Sequence, residues 1–134
     1  MATAFGEPLL LDRSARLRRP ADFRRVFARP QASRDAYFRV LATPNDLGQS
    51  RLGLAVSRRV SPRAVDRNRL KRIARESFRH HRGMLAQGGG MDIVVLPAPT
   101  AVTTSNPDLF VSLEHHWRRL IAKLPPVAKT RSAS

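Results

Sequence analysis

The densest group of chemically active side chains lies in one segment, VDRNRLKRIARESFR, at residues 65–79. Six of its fifteen positions are Arg or Lys, and an amide residue, Asn68, stands among them. Guanidinium groups bind phosphate oxygens with a planar, two-pronged geometry, and they also stack on nucleobases. This segment therefore has the chemistry of a surface that binds a polyanion.

Other arrangements that could support catalysis or bind a metal are weak. The histidines at 80–81 and 115–116 are adjacent within each pair, so the two rings point in different directions, which disfavours a metal site and suggests exposed side chains. Ser57 has no evident His or acidic partner, and the glycines at 88–90 lack the Lys and Ser/Thr of a phosphate-binding loop. No carboxylate cluster suits a two-metal nuclease. We therefore expect neither catalytic residues nor a metal site in the protein.

The charge of the whole chain points to an anionic partner. The formal net charge is +15 over 134 residues, and Arg outnumbers Lys by 22 to 3. A GC-rich genome would explain part of the Arg excess but not the net charge. Nucleic acid is the commonest partner of so basic a chain, and an anionic membrane surface is the second. The chain has no Cys, so we expect no disulfide partner.

The basic segment must lie on an element that separates its charges from its apolar residues, and we predict a helix over residues 64–81. Because helical residues advance by about 100° each, one side carries small and apolar residues: Leu70, Ile73, Ala74 and Ser77. The opposite stripe carries cations and an amide: Asn68, Arg72, Arg75 and Arg79. A solvated surface helix is the alternative, but such helices usually mix charges of both signs. Because the apolar side of the helix is expected to pack in the core, no exposed apolar surface remains to insert into a membrane.

A second basic group spans residues 13–39, with nine Arg and two acidic residues. Phe23 and Phe27 lie within it, on a predicted helix RPADFRRVFAR that begins at Pro20 and ends before Pro30. Cations interleaved with aromatic rings are typical of single-stranded nucleic-acid binding. Phe at i and i+4 is equally typical of a buried core, and the sequence leaves both interpretations open.

The remaining segments predict a small α/β or α+β sandwich. Strands are expected at 36–43, 51–57 and 91–98, with a turn that favours antiparallel pairing of the first two. Asn106 is the expected N-cap of a last helix, whose predicted buried residues are Leu109, Leu113, Trp117, Leu120 and Leu124. Residues 1–17 suggest a flexible arm, 18–124 one domain, and 125–134 a disordered tail. Neither a signal peptide nor a membrane span is evident, so we expect a cytoplasmic protein.

The segment RLGLAVSRRVSPRAVDRNRLKRIARESFR, residues 51–79, resembles the signature region of the bacterial ribonuclease P protein subunit. A strand, a loop and a helix agree with that family in order and spacing, with Arg67, Asn68 and Arg69 as the Arg-Asn-Arg core. The resemblance extends to DFRRVF upstream, and to MDIVVLPAP and WRRL downstream. It covers most of the chain apart from the two termini.

The resemblance implies a two-layer α/β (α+β) sandwich with a small four-stranded mixed sheet, three helices and a left-handed β-α-β crossover. It implies the protein subunit of an endoribonuclease that removes the 5′ leader of precursor tRNA to leave the mature 5′ end. In that family the catalytic RNA performs the chemistry with Mg²⁺, and the protein binds the RNA and the leader. No protein-bound cofactor is expected.

The resemblance also assigns site residues. With Arg79 of the basic stripe, the RNA-binding positions are Arg59, Arg67, Asn68, Arg69, Lys71, Arg72, Arg75 and Arg79. The expected lining of the leader cleft is Phe23, Phe27 and Phe38, with Tyr37 as the alternative to Phe38. Arg69 lies away from the basic stripe by its helical angle, so a structural role is equally open.

Two other functions compete with this one. The first is a ribosomal-protein-like or general RNA-binding protein, or RNA chaperone, without a nuclease partner. The second is a DNA-binding protein that inserts the central helix into a major groove. Strands predicted on both sides of that helix argue against the second function, because a groove-reading helix needs an exposed N-terminal end.

Overall fold

A computed structural model describes residues 13–123 of the chain. Its strands are β1 (Gln31–Arg34), β2 (Phe38–Pro44), β3 (Arg51–Leu54) and β4 (Met91–Pro97). Its long helices are α1 (Pro20–Ala28), α2 (Ala64–His80) and α3 (Asn106–Lys123). Short helical turns occupy Arg13–Ala15, Arg82–Leu85, Gln87–Gly89 and Pro99–Thr103. No helix within these residues is long and apolar enough to cross a membrane.

The four strands form one mixed sheet in the order β1-β2-β4-β3. The predicted pairing of β2 with β3 is wrong, because β4 lies between them, antiparallel to β2 and parallel to β3. The central place suits β4, since its apolar run is almost wholly buried and fits a strand covered on both faces. The strand β1 was not predicted, because its sequence QASR has no alternation of apolar and polar residues and buries only its Ser. The α+β class is confirmed.

The two faces of the sheet differ in their cover. We call one the covered face, because α2 and α3 pack on it over a core that includes Val40, Leu52, Ile93 and Val95. We call the other the open face, where α1 covers only a small cluster of buried residues: Leu17, Val26, Leu41 and Val94. Side chains alternate between faces along a strand, so each strand contributes to both.

The helices begin and end close to the predicted positions. α2 is confirmed within one residue, and four of the five predicted buried residues of α3 are buried, while Leu124 lies outside the described residues. The predicted N-cap is wrong by one position, because the Ser105 hydroxyl accepts the Asp108 N–H at 3.4 Å. The Asn106 side chain instead accepts a hydrogen bond from Arg69.

The packed region begins earlier than residue 18. Leu17 donates its backbone N–H to the Leu52 carbonyl at 2.9 Å, and both Ala15 and Leu17 are buried. This segment therefore extends the β3 edge of the sheet. The rest of the predicted arm, residues 1–12, and the predicted tail lie outside the described residues.

Candidate nucleic-acid interface

Helix α2 separates its apolar and cationic residues as its sequence predicts. The buried residues are Leu70, Ile73, Ala74, Ser77 and Phe78. The Ser77 hydroxyl accepts a hydrogen bond from the buried Trp117 indole at 2.8 Å, which ties α2 to α3. Asn68 and Arg72 are exposed on the other side, and Arg75 is half-buried. The basic stripe therefore faces away from the core.

The polar side chains of this region divide into two groups, and the first group is free of protein partners within the described residues. The following side chains make no hydrogen bond or ion pair within residues 13–123: Arg59, Asn68, Lys71, Arg72 and Arg75. Burial together with the neighbouring charges of Arg16 and Arg72 lowers the pKa of Arg75. Like charges held this close repel one another, so an anion among them would be stabilising.

The second group is engaged within the chain. Arg67 donates to the Ser61 carbonyl at 2.9 Å and so holds the loop that leads into α2. Arg69 donates to the carbonyls of Val102 (3.1 Å) and Thr104, and to Asn106 Oδ1 (2.9 Å). Arg79 lies 3.1 Å from His80 Nε2, and its own Nε is buried without a partner in the described region.

The helical angle of Arg69 left open a structural role for this residue. Its hydrogen bonds support that role. Its guanidinium joins α2 to the turn before α3, and three of its N–H groups are used there. Sequence reasoning found the signal in the angle but could not identify the partners, because they lie more than thirty residues away.

The three predicted cleft aromatics do not lie together. Phe23 packs over Gly53, where an added Cβ would approach the ring within 2.8 Å, so α1 can lie this close only because residue 53 is Gly. Phe27 is 44% exposed on the same helix. Phe38 is only 1% exposed and lies in the covered face, edge-on to His116 at 6.3 Å. Phe38 borders a groove together with Arg34 and Arg39, but its side chain is almost wholly buried and offers little ring surface for base stacking. Tyr37 packs against the same core.

A groove at the β3 edge connects α1 with the free cations of α2. It has a volume of about 190 Å³, and its walls include Phe23 of α1, Leu54 of β3, and Lys71 and Arg75 of α2. Arg16 lies at the same groove. An aromatic ring and cations from distant segments therefore meet here, which suits a nucleic-acid strand.

Sequence reasoning missed a cationic pair on the open face. Arg34 and Arg39 stand directly opposite each other in the β1–β2 register, and Arg39 is opposite Leu96 of β4. Like charges in directly opposed positions are destabilising, yet neither side chain has an ion pair within the described residues. Recognising the β1–β2 hairpin would have revealed the pair, but the polar sequence of β1 hid it.

The helix α1 is fixed to the sheet by a buried carboxylate. Asp92 of β4 is fully buried and accepts two hydrogen bonds from Arg51 of β3, at 2.8 and 2.7 Å. Arg25 of α1 also binds it, and Asn45 Nδ2 donates to it at 2.8 Å. Together with the packing of Phe23 and Val26, this network holds α1 on the sheet, and with it Phe23 and Phe27.

A second buried polar network joins β1 to α3. Ser33 Oγ lies 2.6 Å from Nδ1 of His116, and Nε2 of that ring lies 3.2 Å from Asp35. The expectation that both His pairs are exposed is wrong for His116, which is fully buried. Burial lowers the pKa of His116 although Asp35 acts to raise it. The group has the residue types of a hydrolase triad, but Ser33 is buried beneath Arg119 and has no access to a substrate.

Burial also opposes ionisation of Asp35, but its hydrogen bonds outweigh that effect. The Ser112 hydroxyl and the backbone N–H groups of Phe38 and Tyr37 donate to its carboxylate, and together they lower its pKa to about 2. The buried Asp92 and the half-buried Asp35 are thus both occupied by protein donors. No group of three or more metal-ligating side chains exists within residues 13–123.

Comparison with known proteins gives a consistent result. A family model described as Ribonuclease P matches residues 11–121. The ribonuclease P protein component of Thioalkalivibrio sulfidiphilus is 44% identical over 108 residues, covering 81% of this chain and 88% of that protein. The corresponding protein of Methylococcus capsulatus is 47% identical over 105 residues, covering 78% and 80%.

The solved structures that this chain resembles are RNase P proteins as well. The RNase P protein from Thermotoga maritima superposes with a TM-score of 0.69 at 33% identity, covering 78% of this chain and 96% of that one. A Staphylococcus aureus RNase P protein superposes with a TM-score of 0.70 at 31% identity, covering 81% and 95%.

Proposed function

The chain belongs to the ribonuclease P protein family, and from this premise we propose that its open face binds the 5′ leader of precursor tRNA while α2 faces the catalytic RNA. The protein is the accessory subunit of an endoribonuclease, and it acts in tRNA 5′ processing as part of a ribonucleoprotein. RNA is therefore its partner.

The observation that carries the proposal is the shared groove at the β3 edge. Phe23 faces it from α1, while Lys71 and Arg75 face it from α2. A strand that passes over the open face therefore reaches cations of α2, the helix that we assign to the catalytic RNA. This contiguity would let one protein hold the leader and the catalytic RNA side by side.

On the open face, the leader path would run past α1 and the end of the sheet. Phe27 offers an exposed ring for base stacking, and Arg34 and Arg39 offer guanidinium groups for phosphates. Stacking and phosphate contacts carry little base information. We therefore expect the cleft to accept leaders of many sequences.

The two carboxylates beside the sheet do not fit a protein-held Mg²⁺, because Asp92 is surrounded by guanidinium groups and Asp35 by hydroxyl and N–H donors. We propose that the Mg²⁺ of the holoenzyme is held by the RNA. The protein contribution then consists of binding and orienting the two RNA molecules.

The direct test is reconstitution with the cognate catalytic RNA. Adding the protein at low Mg²⁺ should raise the rate of precursor tRNA cleavage, because its cations replace part of the counterion requirement. Absence of any stimulation would instead favour a general RNA-binding protein or chaperone.

The leader contact has its own test. The holoenzyme affinity for precursor tRNAs with leaders of increasing length should fall in the variant that combines Arg34→Gln and Arg39→Gln, but only for leaders long enough to reach that pair. Arg118→Gln is the matched control, because Arg118 is exposed on α3 and already paired with Glu114 at 2.8 Å. Equal losses in both variants, or a loss with mature tRNA, would contradict the proposed path.

A further inference from the structure

A second groove lies between the first turns of α2 and α3, on the other side of the basic stripe. It has a volume of about 640 Å³, within the range of about 300–1,000 Å³ typical of ligand sites. Its lining residues are Val65, Asn68, Arg69, Arg72, Ile73 and Asn106. Val65 is 59% exposed, so the groove presents an apolar wall that the core does not use.

The amide groups in this groove have a defined orientation. Arg69 Nε donates to Asn106 Oδ1 at 2.9 Å, so the amide NH₂ of Asn106 remains free to donate elsewhere. The guanidinium of Arg69 is itself held by the carbonyls of Val102 and Thr104. Asn68 makes no hydrogen bond within the described residues and offers both a donor and an acceptor. The Arg69 bonds therefore pre-organise a polar edge.

This combination matches a nucleotide. Apolar side chains contact a base face, amides pair with base edges, and a free guanidinium binds phosphate. Arg72 supplies that guanidinium and has no ion pair within the described residues. The chain is strongly basic, with a net charge of +15, which favours RNA over a protein partner.

The position of the groove indicates which RNA it meets. Asn68 and Arg72 line this groove, whereas Lys71 and Arg75 line the groove shared with Phe23. The exposed side of α2 therefore separates two sites. Because the leader path is assigned to the Phe23 side, the Asn68 side is left for the catalytic RNA.

We propose that this groove binds one unstacked nucleobase of the catalytic RNA, with Asn68 and Asn106 pairing with its edge and Arg72 contacting its phosphate. The proposal rests on the proposed function, since it assumes that α2 faces that RNA. Arg69 acts here as a positioning residue, because it orients the Asn106 amide.

The test combines affinity with chemical probing of base accessibility in the protein–RNA complex. Asn68→Ala and Asn106→Ala should each weaken binding of the catalytic RNA by about 3- to 10-fold, the effect of one lost hydrogen bond. The same discrete nucleotide should become accessible in both variants and stay protected with Arg118→Gln. Asn68→Ala should fold normally, because the Asn68 side chain makes no hydrogen bond within the described residues. A loss of affinity in this variant therefore reports a lost RNA contact.

The outcomes separate the two levels of the proposal. If Arg72→Gln weakens RNA binding but both Asn variants leave affinity and probing unchanged, α2 still faces the RNA and the base site is refuted. If Arg72→Gln has no effect either, the assignment of α2 to the catalytic RNA fails with it. Different nucleotides exposed by the two Asn variants would also overturn a single base site.

Discussion

The two faces of the sheet differ in what their polar groups do. On the covered face, buried polar side chains find partners inside the protein, as in the Trp117–Ser77 hydrogen bond and the His116–Ser33 contact. On the open face, Arg34 and Arg39 stand opposite each other with no ion pair in the described chain, and Phe27 is exposed. The buried polar groups of the covered face therefore stabilise the fold, whereas Arg34, Arg39 and Phe27 on the open face are free to meet the leader that we propose for it.

The same division runs along helix α2. Arg67 and Arg69 are hydrogen-bonded to the backbone of neighbouring segments, whereas Arg72 and Arg75 have no such partner among the described residues. A count of basic residues cannot separate these groups. What separates them is which side of the helix meets another segment.

The largest effect is expected on the covered face, from Trp117→Ala. Losing a fully buried Trp typically costs about 3–5 kcal/mol of unfolding free energy, and Ser77 would also lose its indole donor. Urea denaturation measures the change. Phe27→Ala, on the open face, is the contrasting variant and should stay within about 1 kcal/mol of the wild type, since its ring is largely solvated. Similar losses in both variants would erase the distinction between the faces.

Asp92→Ala tests the link between the sheet and helix α1 on its open face. Breaking a buried ion pair costs about 3–5 kcal/mol, and the lower end applies here because Arg25 and Arg51 keep some solvent contact. Denaturation gives the stability change. The affinity of the refolded holoenzyme for leader-bearing tRNA should also fall, because α1 loses its anchor. Unchanged leader affinity would mean that the position of α1 is set by other contacts.

Acid should destabilise the covered face through Asp35. Its pKa is lowered from 3.8 to about 2, so its stabilisation is present above pH 4 and lost as the pH falls towards 2. Denaturation curves across this range should show the loss in the wild type. In Asp35→Asn that part of the pH dependence should vanish. If the pH dependence persisted in this variant, another titrating group would be its cause.

The smallest effect on stability is expected for Arg72→Gln. The unfolding free energy should change by less than about 0.5 kcal/mol, as for most surface substitutions. Binding of the catalytic RNA should weaken by about tenfold, and the slope of affinity against salt should fall by about one. Filter binding at several salt concentrations measures both. A large stability loss would show that Arg72 is structural.

Local patterns were enough to predict the helices and the direction of the basic stripe. Pro20 and the apolar spacing placed α1, and the buried residues of α2 follow its helical period. The sheet order was not accessible, because the place of β4 between β2 and β3 depends on long-range packing. The burial of Phe38 was not accessible for the same reason: the face that a strand residue occupies depends on register with distant strands.

The most direct test of the account is photocrosslinking from the two sides of the protein. A benzophenone amino acid would replace Phe27 beside the open face or Val111 on α3, two positions with comparable exposure of 44% and 55%. In the holoenzyme with precursor tRNA, position 27 should crosslink to leader nucleotides and position 111 should not. Leader crosslinks from position 111, or their absence from position 27, would contradict the assignment of the leader to the open face.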